Sequence, residues 1–224
     1  MAKKENIFDT YETFLVHIYV KVYTGKKQRF FYAMIHKSGK AIIFAGPSGA
    51  GKTTISKHLV ENNEKISFSV SACTRSRRPY EMHGKDYYFL SVHEFKNKIA
   101  QDAFIEWEEV YADSYYGTLK TELAKIWAEE KIAVFDMDVQ GGLRLKSYFK
   151  EDAMTVYVQV PSLQVLKERL RKRKTESEES IALRINKMAS EAALAKEFDV
   201  ILTNEHLPTS LAKAQALLDQ FLSK

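Results

Sequence analysis

Cysteine is all but missing from this chain: Cys73 is the single one in 224 residues. One thiol excludes an internal disulfide framework, cannot by itself make a cysteine zinc site, and suits a reducing compartment. Long apolar runs are missing as well. The best stretch, residues 14–23, is broken by His17 and Lys21 and falls short of the ~20 residues that span a bilayer. It also lacks the charged, apolar and cleavage regions of a secretory signal. A cytoplasmic chain with no membrane partner is expected. There is no internal repeat or low-complexity tract, and the six histidines are scattered, without a metal-ligand cluster or a nucleophile–histidine pair.

What is present is ordinary in bulk: 45% hydrophobic and 28% charged residues, enough for a genuine core. The net charge of +5 suits nucleotide phosphates as readily as nucleic acid. Residues 1–38 stand apart as an N-terminal extension rich in aromatics and lysine. Val16, Ile18, Val20 and Val22 alternate there, as in one half of a hairpin turning near Thr24-Gly25. A helix over residues 9–22 is the alternative. From Lys40 onward, apolar runs at 41–45, 66–70, 132–136, 154–160 and 200–203 read as buried parallel strands. Helical spacing fills 52–61, 118–130, 162–173, 178–196 and 209–222. This alternation predicts an α/β fold. Residues 87–116 are richer in aromatics, with a short helix near 92–100, and suggest a small inserted lobe.

Gly46, Pro47, Ser48, Gly49, Ala50, Gly51, Lys52 and Thr53 match G-x-x-x-x-G-K-[ST], between an apolar strand and a helix. Glycines let successive backbone N–H groups converge on one anion, at the positive end of the following helix. Lys52 is placed to reach β- and γ-phosphates, and Thr53 to bind Mg²⁺ with ATP. Nucleoside triphosphate binding follows, although the loop alone does not say what is done with it.

Downstream, Ser71, Thr74, Arg75, Arg78 and Glu81 run on to Gly84-Lys85-Asp86-Tyr87. Taken alone, the Arg75, Arg77, Arg78 cluster is equally a solvated basic loop or a nucleic-acid patch. In context it resembles the guanylate kinase signature, S-x-x-T-R-x-x-R-x-x-E followed by G-x-D-Y. The segments Phe104-Ile-Glu-Trp107, Tyr115-Tyr-Gly-Thr118 and Asp136-Met-Asp-Val-Gln-Gly141 extend the likeness, with one extra residue between Trp107 and Tyr115 relative to some family members. So does the basic run 166–184.

The resemblance implies a P-loop NTPase fold with a central parallel sheet flanked by helices (core 40–70, 132–165 and 185–224), a GMP-binding lobe at about 71–118 and a helical lid at about 166–184. It implies ATP-dependent phosphorylation of GMP, and of dGMP, to the diphosphate, in purine nucleotide metabolism and GMP recycling. Carried over residue by residue, it makes Arg75, Arg78 and Tyr87 the GMP phosphate contacts, with Glu81 orienting an arginine and Tyr116 also in the GMP site. It makes Glu106 the acceptor for guanine N1–H and N2–H₂, Ser71 and Thr118 donors to O6, and Asp138 a contact to the guanine amino group. Capping of the next helix is the alternative for Asp138. Asp136 would support Mg²⁺ through water, and Asn204 would lie near the adenine. Arg169, Arg173 and Arg184 would arrive with the lid, the first two on one helical face at i and i+4; a solvated or nucleic-acid-facing helix is the alternative for this run. Lys174 stands where many relatives have glycine. The expected partners are ATP and GMP, without nucleic acid, in a monomer or homodimer.

Overall fold

The computed structural model describes residues 16–22, 29–35, 39–172 and 178–223, and the chain divides into two units, Met1–Ser38 and Gly39–Lys224. In the first, β1 (Val16–Val22) and β2 (Arg29–Ile35) pair antiparallel, with Val16 opposite Ile35 and Val22 opposite Arg29. The helical alternative is therefore overturned for residues 16–22. Alternating β-branched residues lose χ1 freedom in a helix and fit a pleated surface better. The turn expected near Thr24-Gly25 lies outside the described residues.

The second unit starts with β3 (Ala41–Ala45), the glycine loop and α1 (Lys52–Glu61), then β4 (Ile66–Phe68). A lobe follows: β5 (Ala72–Cys73), β6 (Tyr88–Phe89), α2 (Val92–Ala100), β7 (Phe104–Tyr111) and β8 (Ser114–Leu119). The chain returns through α3 (Lys120–Ala128), β9 (Ile132–Met137), α4 (Val139–Phe149) and β10 (Ala153–Gln159). It finishes with α5 (Leu163–Lys172), α6 (Glu178–Ala192), β11 (Val200–Thr203) and α7 (Leu207–Leu222).

Five strands form a parallel sheet in the order β11-β10-β3-β9-β4. Both faces are covered, which is why its strands read as continuous apolar runs. Ile42, Phe44, Val134, Val156 and Val158 pack with Ile55, Leu59, Leu166, Leu170 and Leu218 on one side. On the other, Ala41, Ile43, Ala133 and Phe135 meet Leu123, Ile126, Leu145 and Phe149. Each fully buried side chain of this size contributes about 1.5–3 kcal/mol.

The lobe is a mixed four-stranded sheet, β6-β5-β8-β7, with its own core of Ala72, Phe95, Phe104, Tyr115 and Leu119. Phe95 stacks on Phe104 at 4.3 Å between centroids. A reciprocal Ser91–Glu94 capping box starts α2, an arrangement worth about 1 kcal/mol. The β7–β8 hairpin shifts register between Glu109 and Tyr111, a way for a hairpin to absorb an additional residue.

Element boundaries differ from expectation where tertiary bonds intervene. The strand expected to reach residue 70 stops at Phe68. Ser69 N–H still donates to Val134 O, but Val70 N–H turns to the Glu122 carboxylate at 3.3 Å. Residues 118–119, expected in a helix, belong to β8, where Thr118 pairs with Glu106. The helix expected to run to residue 196 ends at Ala192, and Ala195–Glu197 forms a separate 3₁₀ turn. The last helix starts at Leu207, earlier than expected, because Pro208 is acceptable in a first turn. Among the described residues no helix is long and apolar enough to cross a membrane.

Candidate active site

The parallel sheet brings the carboxyl ends of β3, β9, β10 and β11 to one rim, where open α/β sheets bind ligands. From β3 the chain enters the glycine loop with Gly46 at φ 144° and Gly51 at φ 96°. A Cβ on Gly46 would come within 2.3 Å of Val158 O, so close backbone approach as well as torsion calls for glycine there. Gly51 is also the N-cap of α1 and offers no side-chain cap. The first amides of that helix are thus available to an anion, at the positive end of its dipole.

The loop is braced from behind. Asn204, only 3% exposed after β11, donates from Nδ2 to Ala50 O at 2.8 Å. Arg169 on α5 donates to Asn204 O at 2.8 Å and to Ala50 O at 3.5 Å. Asn204, expected near the adenine, lies buried against the loop, where its amide satisfies a carbonyl that the tight turn leaves inside. Its Oδ1 has no hydrogen-bond partner among the described residues.

Lys52 Nζ donates to Gly46 O at 2.8 Å and Pro47 O at 3.1 Å, and lies 3.9 Å from Asp136 Oδ1. The β3–β9 register sets Asp136 opposite Phe44, two residues before the loop, and Thr53 Oγ1 donates to Asp136 Oδ2. A hydroxyl and a carboxylate side by side are hard oxygen donors. They fit Mg²⁺, which takes one or two protein oxygens and keeps its other positions for phosphate and water.

A second cationic surface lies in the lobe. Glu81, 6% exposed, accepts from Arg75 Nη1 at 2.7 Å, Arg75 Nη2 at 2.5 Å and Arg78 N–H at 2.8 Å. The Arg75 bond holds its carboxyl down at about 2, against the opposing effect of burial and with help from the Arg78 amide. The guanidinium of Arg75 sits 4.7 Å above the Tyr87 ring, which meets Tyr116 edge-on at 6.2 Å. Burial, then the charge of Asp136, pushes the Tyr87 hydroxyl up to about 12 despite Arg75, so it remains a neutral donor. Arg78 is more exposed, with Nη1 3.9 Å from Glu81 Oε1. Cys73 lies near this cluster, its thiol pushed up to about 11 chiefly by burial. It stays protonated.

Glu106 and Thr118 face each other across β7 and β8, the fully buried Thr118 hydroxyl donating to Glu106 Oε1 at 2.9 Å. A hydroxyl has one proton, so Thr118 can donate to a guanine O6 only by turning away from Glu106. Burial raises the Glu106 pKa, opposed by Thr118 and Arg144 and assisted by the charges of Asp138 and Glu108. Ser71 is half-buried, and its carbonyl accepts from Tyr88 N–H at 2.9 Å. Asp138 is the N-cap of α4, with Oδ1 accepting from Gly141 N–H at 2.8 Å, while Oδ2 lies 3.4 Å from Lys187 Nζ. The capping alternative is thus what the fold uses, for one of the two oxygens.

Of the lid residues, Arg169 reaches the glycine loop, whereas Arg184 is exposed on α6. Arg173 and Lys174 lie outside the described residues. Arg171 and Glu178 join α5 to α6 through a paired contact at 2.7–2.8 Å. Sequence reasoning missed Arg144, Lys187 and Glu191. Lys187 sits 3.4 Å from Asp138 and 3.5 Å from Glu191, and no motif marks these positions. A signal was present only in their being charged residues on otherwise amphipathic helices.

A glycine loop between the central strand of a parallel sheet and a helix, with Lys52, Thr53 and Asp136 around it, defines a P-loop NTPase fold of the nucleotide-kinase class. The family model for guanylate kinase matches residues 38–221. Guanylate kinase from Bacteroides thetaiotaomicron is 40% identical over 87% of this chain and 96% of its own length. The Porphyromonas gingivalis guanylate kinase is 41% identical over 83% and 99%. In structure, guanylate kinase from Anaplasma phagocytophilum superposes with a TM-score of 0.63 at 25% identity, covering 82% of this chain and 86% of that one. The chain belongs to the guanylate kinase family, whose reaction is the ATP-dependent phosphorylation of GMP.

Proposed function

We propose that this reaction runs between the glycine loop and the arginine cluster, with each residue in a definite role. Backbone N–H groups of the loop 46–51, Pro47 excepted, and Lys52 hold the ATP phosphates, and Arg75, Arg78, Tyr87 and Tyr116 hold the GMP phosphate. Glu81 aims Arg75. Glu106, Ser71, Thr118 and the second oxygen of Asp138 read guanine: a carboxylate accepts from N1–H and N2–H₂, which adenine does not offer in that pattern. Asn204 serves ATP indirectly, by holding the loop. An oxygen of the GMP phosphate attacks the γ-phosphorus as the bond to the β-bridging oxygen of ADP breaks. The attacking oxygen is already charged, so positioning and electrostatics carry the step without a general base. Thr53, and Asp136 through water, would hold Mg²⁺, which would neutralise phosphate charge. Arg169, Arg173 and Arg184 stabilise the moving group as the lid closes and water leaves.

The reading extends to dGMP, which presents the same base and phosphate to these residues. The enzyme acts in purine nucleotide metabolism, including GMP recycling, in the cytoplasm, as a monomer or homodimer, without a nucleic-acid or membrane partner. The observation that carries the base assignment is the buried Glu106 beside Thr118. The test is ADP release with ATP and Mg²⁺ and GMP, AMP, CMP or UMP as acceptor. Strong preference for GMP is expected, and equal turnover with AMP would overturn the assignment.

A further inference from the structure

Arg144 belongs to none of the motifs, yet it is where α4 reaches the base-binding strand. Its Nη2 donates to Glu108 Oε2 at 2.5 Å, and its Nε lies 3.7 Å from Glu106 Oε2. The Glu106 side chain is 9% exposed and that of Arg144 38%. Arg144 Nε is buried without a hydrogen-bond acceptor among the described residues. One edge of the guanidinium is thus committed to Glu108, while a buried N–H stands just outside bonding reach of the carboxylate that reads the base. Glu106 and Glu108 are alternate residues of one strand and share this single cation.

We propose that Arg144 is the positioning residue of the guanine site: it keeps Glu106 ionised and aimed while Glu108 fixes the guanidinium from the other side. The proposal rests on Glu106 being the guanine acceptor. The chemistry makes ionisation decisive. A carboxylate offers two acceptors to N1–H and N2–H₂, whereas a carboxylic acid presents an O–H to the N1–H of guanine, donor against donor. The same acid complements adenine, whose N1 accepts and whose N6 donates.

The groups acting on Glu106 come from several elements. Thr118 on β8 and Arg144 on α4 favour the ionised form; Glu108 on β7 and Asp138 at the head of α4 oppose it. Lys187 and Glu191 on α6 act on Asp138 in turn. Among the described residues Arg144 is the cation paired with the base-reading carboxylate, and its removal leaves Glu106 facing two other carboxylates.

The test compares Arg144→Gln, Arg144→Lys, Glu108→Gln and Glu106→Gln in steady-state kinetics across pH. Arg144→Gln should raise KM for GMP about 10- to 100-fold, the usual scale for losing an outer partner of a ligating group, with kcat and KM for ATP near wild type. Its acid limb of kcat/KM for GMP should move to higher pH, and AMP turnover relative to GMP should rise as pH falls. Arg144→Lys should return the acid limb toward wild type. Glu108→Gln should move it to lower pH, a readout that stands even if Arg144→Gln fails to fold. An unmoved acid limb in Arg144→Gln, or in Glu108→Gln, overturns the proposal. Glu106→Gln separates the two layers: if it raises KM for GMP while the Arg144 and Glu108 variants behave as wild type, the base-site reading stands and this inference falls. If it leaves KM for GMP unchanged, the base-site reading falls first.

Discussion

The glycine loop and the arginine cluster of the lobe both present positive potential to a phosphate, from different sources. Within residues 46–53 the field comes from main-chain amides and a helix end, held by the torsions of consecutive residues and braced by Asn204 and Arg169. In the lobe it comes from guanidinium groups that would repel one another without Glu81, which takes three hydrogen bonds from Arg75 and the Arg78 backbone. A backbone cradle tolerates loss of one supporting side chain; a side-chain cradle depends on its counter-ion. The loop is therefore stiff by covalent geometry, and the lobe by electrostatic pairing.

The sharpest test of this contrast removes Lys52, which brings charge to the transferred phosphoryl rather than support to the backbone cradle. Lys52→Ala should lower kcat by at least about 10³-fold, the scale of losing a charge-stabilising group at a transferred phosphoryl. Calorimetry should find GMP affinity intact, and parallel loss of GMP binding would show that the two cradles are not separate. Next in size, Glu106→Ala should weaken GMP by up to about 10⁴-fold, as expected when a site built on hydrogen bonds loses its matching partner. KM for ATP should change little, and equal losses for both nucleotides would undo the base assignment.

Glu81→Gln should cost about 3 kcal/mol, as for breaking a buried pair, and should raise KM for GMP without raising that for ATP. Because the Glu81 carboxyl is depressed to about 2, its stabilisation is fully present above the ordinary carboxylate pKa of about 4.5. It is lost as pH falls from there toward 2. Thermal melts across that window should be steeper in pH for the native chain than for the variant. The smallest effect is expected at Asn204→Ala: about 1 kcal/mol for leaving Ala50 O with only the long Arg169 bond, with a modest rise in KM for ATP alone. A GMP defect of similar size would show the loop and the lobe to be coupled.

Much of the fold could be read from the sequence, unevenly and for physical reasons. The strand Ala41–Ala45 and helix Lys52–Glu61 fall where periodicity puts them, since burial on both sheet faces demands an unbroken apolar run. Residues 69–70 and 118–119 do not, because Val70 N–H finds Glu122 and Thr118 finds Glu106, contacts invisible to a local window. At the site, the motif pattern led to Glu81, Glu106 and Asp136. Nothing in it led to Arg144 or Lys187, whose importance lies in what they face.

The eight consecutive residues from Gly46 to Thr53 specify their own shape, because glycine torsions and a helix start are local properties. In the same way, the apolar runs alone imply a parallel sheet with covered faces. Only the folded chain decides that Arg144 meets Glu108, 36 positions away, that Asn204 lies under Ala50, 154 positions earlier, and that Asp138 spends one oxygen on a helix cap. Those pairings depend on strand register and helix docking. Both are set by the burial of the whole core rather than by any segment's own preferences.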